Sequence, residues 1–164
     1  PWNYAVNENV IDVLIYLYEN YMDSEEEVNE DQIMLEEELL KAGFAKEEVD
    51  KAFNWLNELA YRQGQQSDEA TARPQAMRVF SEQEQLHLEL EVRGMILQLE
   101  QSGILDTATR ELVIERALAL ESQDLTLDDL KWIVLLVLIN QPGQENAFAL
   151  MEEMVYNQEY AYVH

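Results

Sequence analysis

An all-α fold of about seven helices is what this sequence predicts, and three observations carry the prediction. Apolar residues recur at three- and four-residue spacing in nearly every segment long enough to show a period. Capping residues (Ser, Thr, Asp, Asn) stand before those segments and glycines stand after them. No stretch of useful length alternates apolar and polar residues as a half-buried strand would.

Pro1–Val6 fits no structural template, and residues 1–6 read as a disordered end or an addition foreign to the protein. The first helix follows from Asn9 to Tyr21, with Val10, Val13, Leu14, Leu17, Tyr18 and Tyr21 in helical register. Asp23–Asp31 is an acidic loop, and Asn29 with Gln32 resembles a capping box for a second helix. Ile33, Leu35, Leu39 and Leu40 give that helix its apolar face, and Gly43 stops it. After the turn at Phe44, a third helix carries Val49, Ala52, Phe53, Leu56, Leu59 and Ala60 and ends near Gly64. Together these make an N-terminal three-helix unit over 7–62. Residues 63–76, polar and holding Gly64 and Pro74, form a linker to a C-terminal unit over 77–164.

Met77–Phe80 is expected to be short and extended. Ser81 with Glu84 is a stronger capping box, opening a helix that runs to about Gln101. Gly94 lies inside that helix at a cost to its stability, which predicts close approach by a neighbour. Ser102-Gly103 ends it. A further helix from Asp106 or Thr107 carries Leu112, Val113, Ile114, Ala117, Leu118 and Leu120. Thr126 and Asp129 cap the next, in which Trp132–Ile139 is apolar on every side and so belongs at the centre of the core. Pro142 cannot continue its hydrogen-bond ladder. The last helix, from about Gln144, turns Ala147, Phe148, Met151, Met154 and Val155 to one face.

The bulk composition excludes several function classes. The chain has 164 residues, 34 of them acidic against 10 basic, for a formal charge of −24. No basic residue precedes Lys41. Such a surface repels phosphate and anionic lipid within a Debye length of about 8 Å, so direct nucleic-acid binding is not expected. A solvated face that aids solubility is its simplest reading, beside a docking surface for a basic partner. The apolar run Trp132–Ile139 falls far short of the roughly 20 residues that span a bilayer. With no cysteine there is no disulfide framework, thiolate metal site or thiol nucleophile. No secretory leader is visible, and the expected location is the cytoplasm.

Little in the sequence points to chemistry. An EF-hand loop begun at Asp23 would need Gly and Glu where Val28 and Met34 stand. Glu84 and His87 have the Glu-x-x-His spacing of di-iron bundles, but the second copy is missing. No serine lies in a Gly-x-Ser-x-Gly elbow and no glycine-rich phosphate loop exists. Lys131 interrupts the most apolar helix and is a candidate base, although an ion pair to Asp128 one turn earlier explains it more simply. The expectation is a non-enzymatic protein with no catalytic residue, metal or cofactor. An enzyme using carboxylates or Lys131 is the alternative.

Binding is the stronger class. The candidate partner-binding residues are Glu25, Glu26, Glu27, Glu30, Asp31, Glu36 and Glu37, acting as steering groups toward a basic protein surface. A second alternative is a nucleic-acid mimic occupying a DNA- or RNA-binding groove. Leu39–Leu56 has a helix–turn–helix outline, but Lys46 and Lys51 are outnumbered there by Glu47, Glu48 and Asp50. The same outline resembles the Gly-Phe turn of ubiquitin-associated three-helix modules. Tyr156, Tyr160 and Tyr162 could anchor a partner, but packing of the last helix onto its own core is the simpler reading. Gly43, Gly94, Lys131, Trp132 and Pro142 are assigned structural roles.

Longer stretches resemble the Smg family of bacterial proteins. They are Asp12-Val13-Leu14-Ile15-Tyr16-Leu17-Tyr18-Glu19, Gly43-Phe44, Trp55-Leu56, Met77-Arg78-Val79-Phe80, Gly103-Ile104-Leu105, Arg110-Glu111-Leu112-Val113-Ile114, Leu130-Lys131-Trp132-Ile133-Val134 and Asn140-Gln141-Pro142-Gly143. The likeness spans about Asn7 to His164. It implies a cytoplasmic bacterial protein without an assigned activity. It also implies a gene neighbourhood of DNA-processing, topoisomerase-like and translation-related factors, which slightly favours a nucleic-acid-handling protein as partner.

Overall fold

A computed structural model describes residues 9–22, 32–65, 78–120, 125–139 and 141–157. Eight α-helices and one π-helical turn are present among them, and no strand. The chain divides into two compact units, Pro1–Glu58 and Leu59–His164.

In the first unit, α1 (Val10–Leu17) starts at Asn9, whose side chain accepts from the Asp12 amide while Asp12 accepts from the Asn9 amide. This reciprocal cap satisfies two otherwise orphaned donors. Ile11, Val13, Leu14 and Leu17 are buried, and the helix widens into a π-helical turn at Tyr18–Met22. Helix α2 spans Gln32–Lys41. It ends where Gly43 takes φ +107°, with Gly43 N–H donating to Leu40 and Phe44 N–H to Leu39. That pair of bonds is a Schellman stop, which requires the left-handed conformation glycine adopts without strain. The Phe44 ring then sits edge-on to Tyr16 at 5.4 Å, tying the turn back to α1. Helix α3 runs from Lys46 to Gly64, and the division between the units falls within it, after Glu58.

The second unit contains the end of α3, then α4 (Glu82–His87), α5 (Leu90–Gln101), α6 (Thr107–Ala119), α7 (Leu127–Ile139) and α8 (Glu145–Tyr156). Helix α7 is the centre: α5, α6 and α8 all pack on it. Ile133–Leu138 are six consecutive buried residues, as expected of a helix apolar on every side. Each such side chain contributes about 1.5–3 kcal/mol of burial.

The first amides and last carbonyls of this helix have no partner within its ladder and are met by caps and side chains. At the start, the Thr126 hydroxyl accepts from the Asp129 amide and Asp129 accepts from the Thr126 amide, both at 3.1 Å. At the end, Gln63 Nε2 donates to the Val137 carbonyl at 3.0 Å and the Gln141 amide donates to Leu138. The chain leaves through a turn with Pro142 second and Gly143 third at φ +81°, the residue order of a type II turn.

Two expectations are corrected. The helix opened by Ser81 does not run on to Gln101: it breaks at Leu88, which is extended at φ −118°, ψ 112°. The Leu88 side chain is fully buried, and its carbonyl accepts from Arg93 Nε at 2.9 Å. A core contact and a side-chain donor together hold the break, and neither leaves a Gly or Pro signal. No neighbour approaches Gly94 closely, against the expectation. It is exposed, and a Cβ built there meets no atom within 4 Å.

Replacing Gly94 by Ala should therefore stabilise the protein by about 0.5–1 kcal/mol, through the lower unfolded-state entropy of alanine. Gly103→Ala should destabilise it by about 1–2 kcal/mol, because Gly103 stops α5 at φ +86°. Denaturant titration of both variants checks the opposite signs.

Candidate functional site

Of the seven acidic residues assigned to partner binding, Glu25, Glu26, Glu27, Glu30 and Asp31 lie outside the described residues. Glu36 and Glu37 lie on α2. Glu37 is exposed, and Glu36 is half-buried and accepts from Gln32 Nε2 at 3.3 Å. Glu38 accepts the Tyr21 hydroxyl hydrogen bond, which ties α2 to the π-helical turn.

The same helix exposes two apolar residues of its expected core face, and Met34 beside them. Ile33 is 61% exposed, Met34 54% and Leu40 42%, whereas Leu39 is fully buried. Ile33 and Leu40 were expected on the core face. At about 100° per residue Ile33, Leu35, Leu39 and Leu40 spread over an arc of about 160°, and only the Leu35–Leu39 side of that arc turns inward, with Leu39 buried and Leu35 half-buried.

The arginines are engaged within the protein. Arg78 holds Glu84 through two bonds of 2.7 and 3.1 Å and reaches Glu111 through Nε at 2.7 Å. Glu111 also accepts from Arg110 Nε at 2.9 Å, and Arg110 Nη1 donates to Glu100 at 2.7 Å. This chain of alternating charge joins the residues before α4 to α5 and α6. Arg110 is only 7% exposed, so its carboxylate partners offset a desolvation that an unpaired charge could not bear. Arg78 also stands over the Phe80 ring, 5.3 Å from its centre. Glu84 has a second duty, accepting from the Ser81 amide at 2.7 Å as the cap of α4. The bonded Arg78 guanidinium holds the Glu84 carboxyl below its ordinary range, and Glu84 followed by Glu111 pushes Arg78 further up.

A second cluster is built on Glu115, which takes both Nε and Nη2 of the buried Arg116 at 2.5 Å and Arg62 Nε at 3.2 Å. Arg93 donates to the Leu88 carbonyl. All five described arginines thus bond to the protein's own oxygens.

The other singled-out residues are placed as follows. Glu84 is bound to Arg78 and Ser81, while His87 is exposed, so the pair is not arranged as joint ligands. Among the described residues no group of three His, Asp or Glu could hold a metal ion. Lys131 is half-buried. Trp132 meets Tyr156 edge-on at 5.7 Å, which sets the end of α8 against α7. Tyr160 and Tyr162 lie outside the described residues. No described helix is long and apolar enough to cross a membrane.

Comparison with known proteins identifies the relatives. A family profile described as "Protein of unknown function (DUF494)" matches residues 10–164. "Protein Smg homolog" of Thioalkalivibrio sulfidiphilus is 44% identical over 97% of this chain and 100% of its own length. The proteins of the same description from Nitrosococcus oceani and Vibrio cholerae are 47% and 45% identical, over 93% and 94% of this chain and 96% and 99% of their own. No solved structure matches. The chain belongs to this family, the one its sequence patterns resembled.

The Arg78–Glu84 pair gives stability a defined pH dependence. The folded pKa of Glu84 is depressed, so its contribution is complete above the ordinary value near 4.5 and is lost as pH falls through the folded one. At neutral pH Glu84→Gln should cost about 1–2 kcal/mol, and the gap to the parent should close as the pH drops below that range. Unfolding curves of both proteins from pH 7 to pH 3 check this.

Proposed function

We propose that this family member is a non-enzymatic cytoplasmic protein that binds another protein through a basic surface on that partner. The observation that carries the reading is the disposition of charge. The first unit, Pro1–Glu58, holds sixteen acidic side chains against three lysines. One of those lysines, Lys51, already lies 3.9 and 4.0 Å from Glu47 and Glu48. The described arginines are bonded to internal oxygens, so they offer little to a phosphate backbone, and the acidic excess is what faces a partner. Steering of this kind depends on summed charge more than on any one contact. That is the role given to Glu25, Glu26, Glu27, Glu30, Asp31, Glu36 and Glu37, and it raises the association rate more than it slows dissociation.

The test begins with capture from nuclease-treated lysate at low and high salt, read by quantitative mass spectrometry, to obtain the partner. Reversing Glu26, Glu27, Glu36 and Glu37 to Lys should then slow association by about tenfold or more and flatten its salt dependence. Dissociation should change little. Unchanged association kinetics would overturn the proposal, and competition by duplex DNA for the same partner would replace docking with nucleic-acid mimicry.

A further inference from the structure

We infer that the outward face of α2 seats a basic amphipathic helix of a partner protein, an inference that rests on the acidic-docking reading and adds an apolar anchor to it. Around the helix, Leu40, Ile33, Glu37, Lys41 and Met34 occupy an arc of about 120°. Its three large apolar side chains are 42%, 61% and 54% exposed, in a helix whose opposite side buries Leu39 completely. Glu36 borders the arc on one side and Glu38 on the other. Ile33 and Leu40, two turns apart with Met34 beside them, have the spacing by which one helix lies against another.

The flanking charge selects the occupant. A second copy of this chain would set three carboxylates, Glu36, Glu37 and Glu38, with Lys41 as their one neighbouring cation on the helix, against the same excess of negative charge, and an anionic lipid surface would meet the same repulsion. A helix with leucines on one side and lysines or arginines beside them satisfies both features of the face. Its apolar stripe covers Ile33, Met34 and Leu40, and its cations meet the bordering carboxylates. The ten residues of α2 span about 15 Å, room for nearly three turns of such a helix.

The full chain can be titrated with a synthetic 15-residue Leu/Lys peptide patterned as an amphipathic helix, and with a scrambled peptide of the same composition. The patterned peptide should bind at least about tenfold more tightly, and backbone amide shifts of the protein should concentrate in residues 32–41. The triple variant Ile33→Ser, Met34→Ser, Leu40→Ser should weaken patterned binding by about tenfold without altering its salt dependence. The variant Glu36→Gln, Glu37→Gln should instead flatten the salt dependence. All five positions are wholly or partly exposed, and circular dichroism confirms that the variants fold. Equal affinity for both peptides, or amide shifts spread away from α2, would overturn the apolar seat while sparing electrostatic docking. If neither peptide binds even at low salt, both readings fall.

Discussion

Burial of α7 is the constraint on which the second unit depends. Six consecutive apolar side chains, Ile133–Leu138, leave that stretch of the helix no solvent face, so its neighbours must surround it, and α5, α6 and α8 pack on the helix. Its backbone ends are met by specific partners, an exposed cap at the start and a part-buried side-chain bond at the end. Thr126 and Asp129 close one end, and Gln63, arriving from α3, closes part of the other. A single amide side chain therefore links the end of α3 to the core helix at a point where an unmet carbonyl would cost about 1–3 kcal/mol.

Charge is partitioned by a related logic. Guanidinium groups stand where carboxylates can reach them: Arg78 and Arg110 with Glu84, Glu111 and Glu100, and Arg62 and Arg116 with Glu115. The pairs sheltered on both sides, Arg78–Glu84 and Arg110–Glu100, are worth more than the exposed ones, which contribute little. The cost to the surface is that so few cations remain to balance the other acidic side chains. An internal requirement for satisfied arginines and an external surplus of negative charge are two sides of one composition.

Much of this fold was legible locally. Ser81 with Glu84, Thr126 with Asp129, and Gly43 each announce a helix end through groups only a few residues apart, and the structure places those ends as expected. The unbroken run from Trp132 to Ile139 announced the centre of the core. What escaped depends on contacts distant in sequence or opposed in direction. The break at Leu88 is held by a buried side chain and by Arg93, with no breaker residue to mark it. A mid-helix glycine such as Gly94 points to packing as one of its uses, yet only the surroundings decide the use. In α2 the apolar spacing was read as a core face, when a short helix with five large apolar residues had to leave some of them outside. Of the acidic candidates, Glu36 and Glu37 are placed on that helix, beside the residues the spacing misjudged.

The arrangement around α7 also has a consequence during biosynthesis. Residues 127–139 leave the ribosome before α8, which covers part of their surface, has been made. Until Ala147, Met151 and Val155 arrive to pack as buried residues, the nascent chain holds a largely apolar helix with one wall missing. Exposed hydrophobic surface of that kind is what holdase chaperones bind and what proteases sample. A stalled or truncated product ending near Pro142 would keep the complete acidic first unit while displaying the core of the second, and so would be a substrate for quality control even though more than four-fifths of the chain had been synthesised.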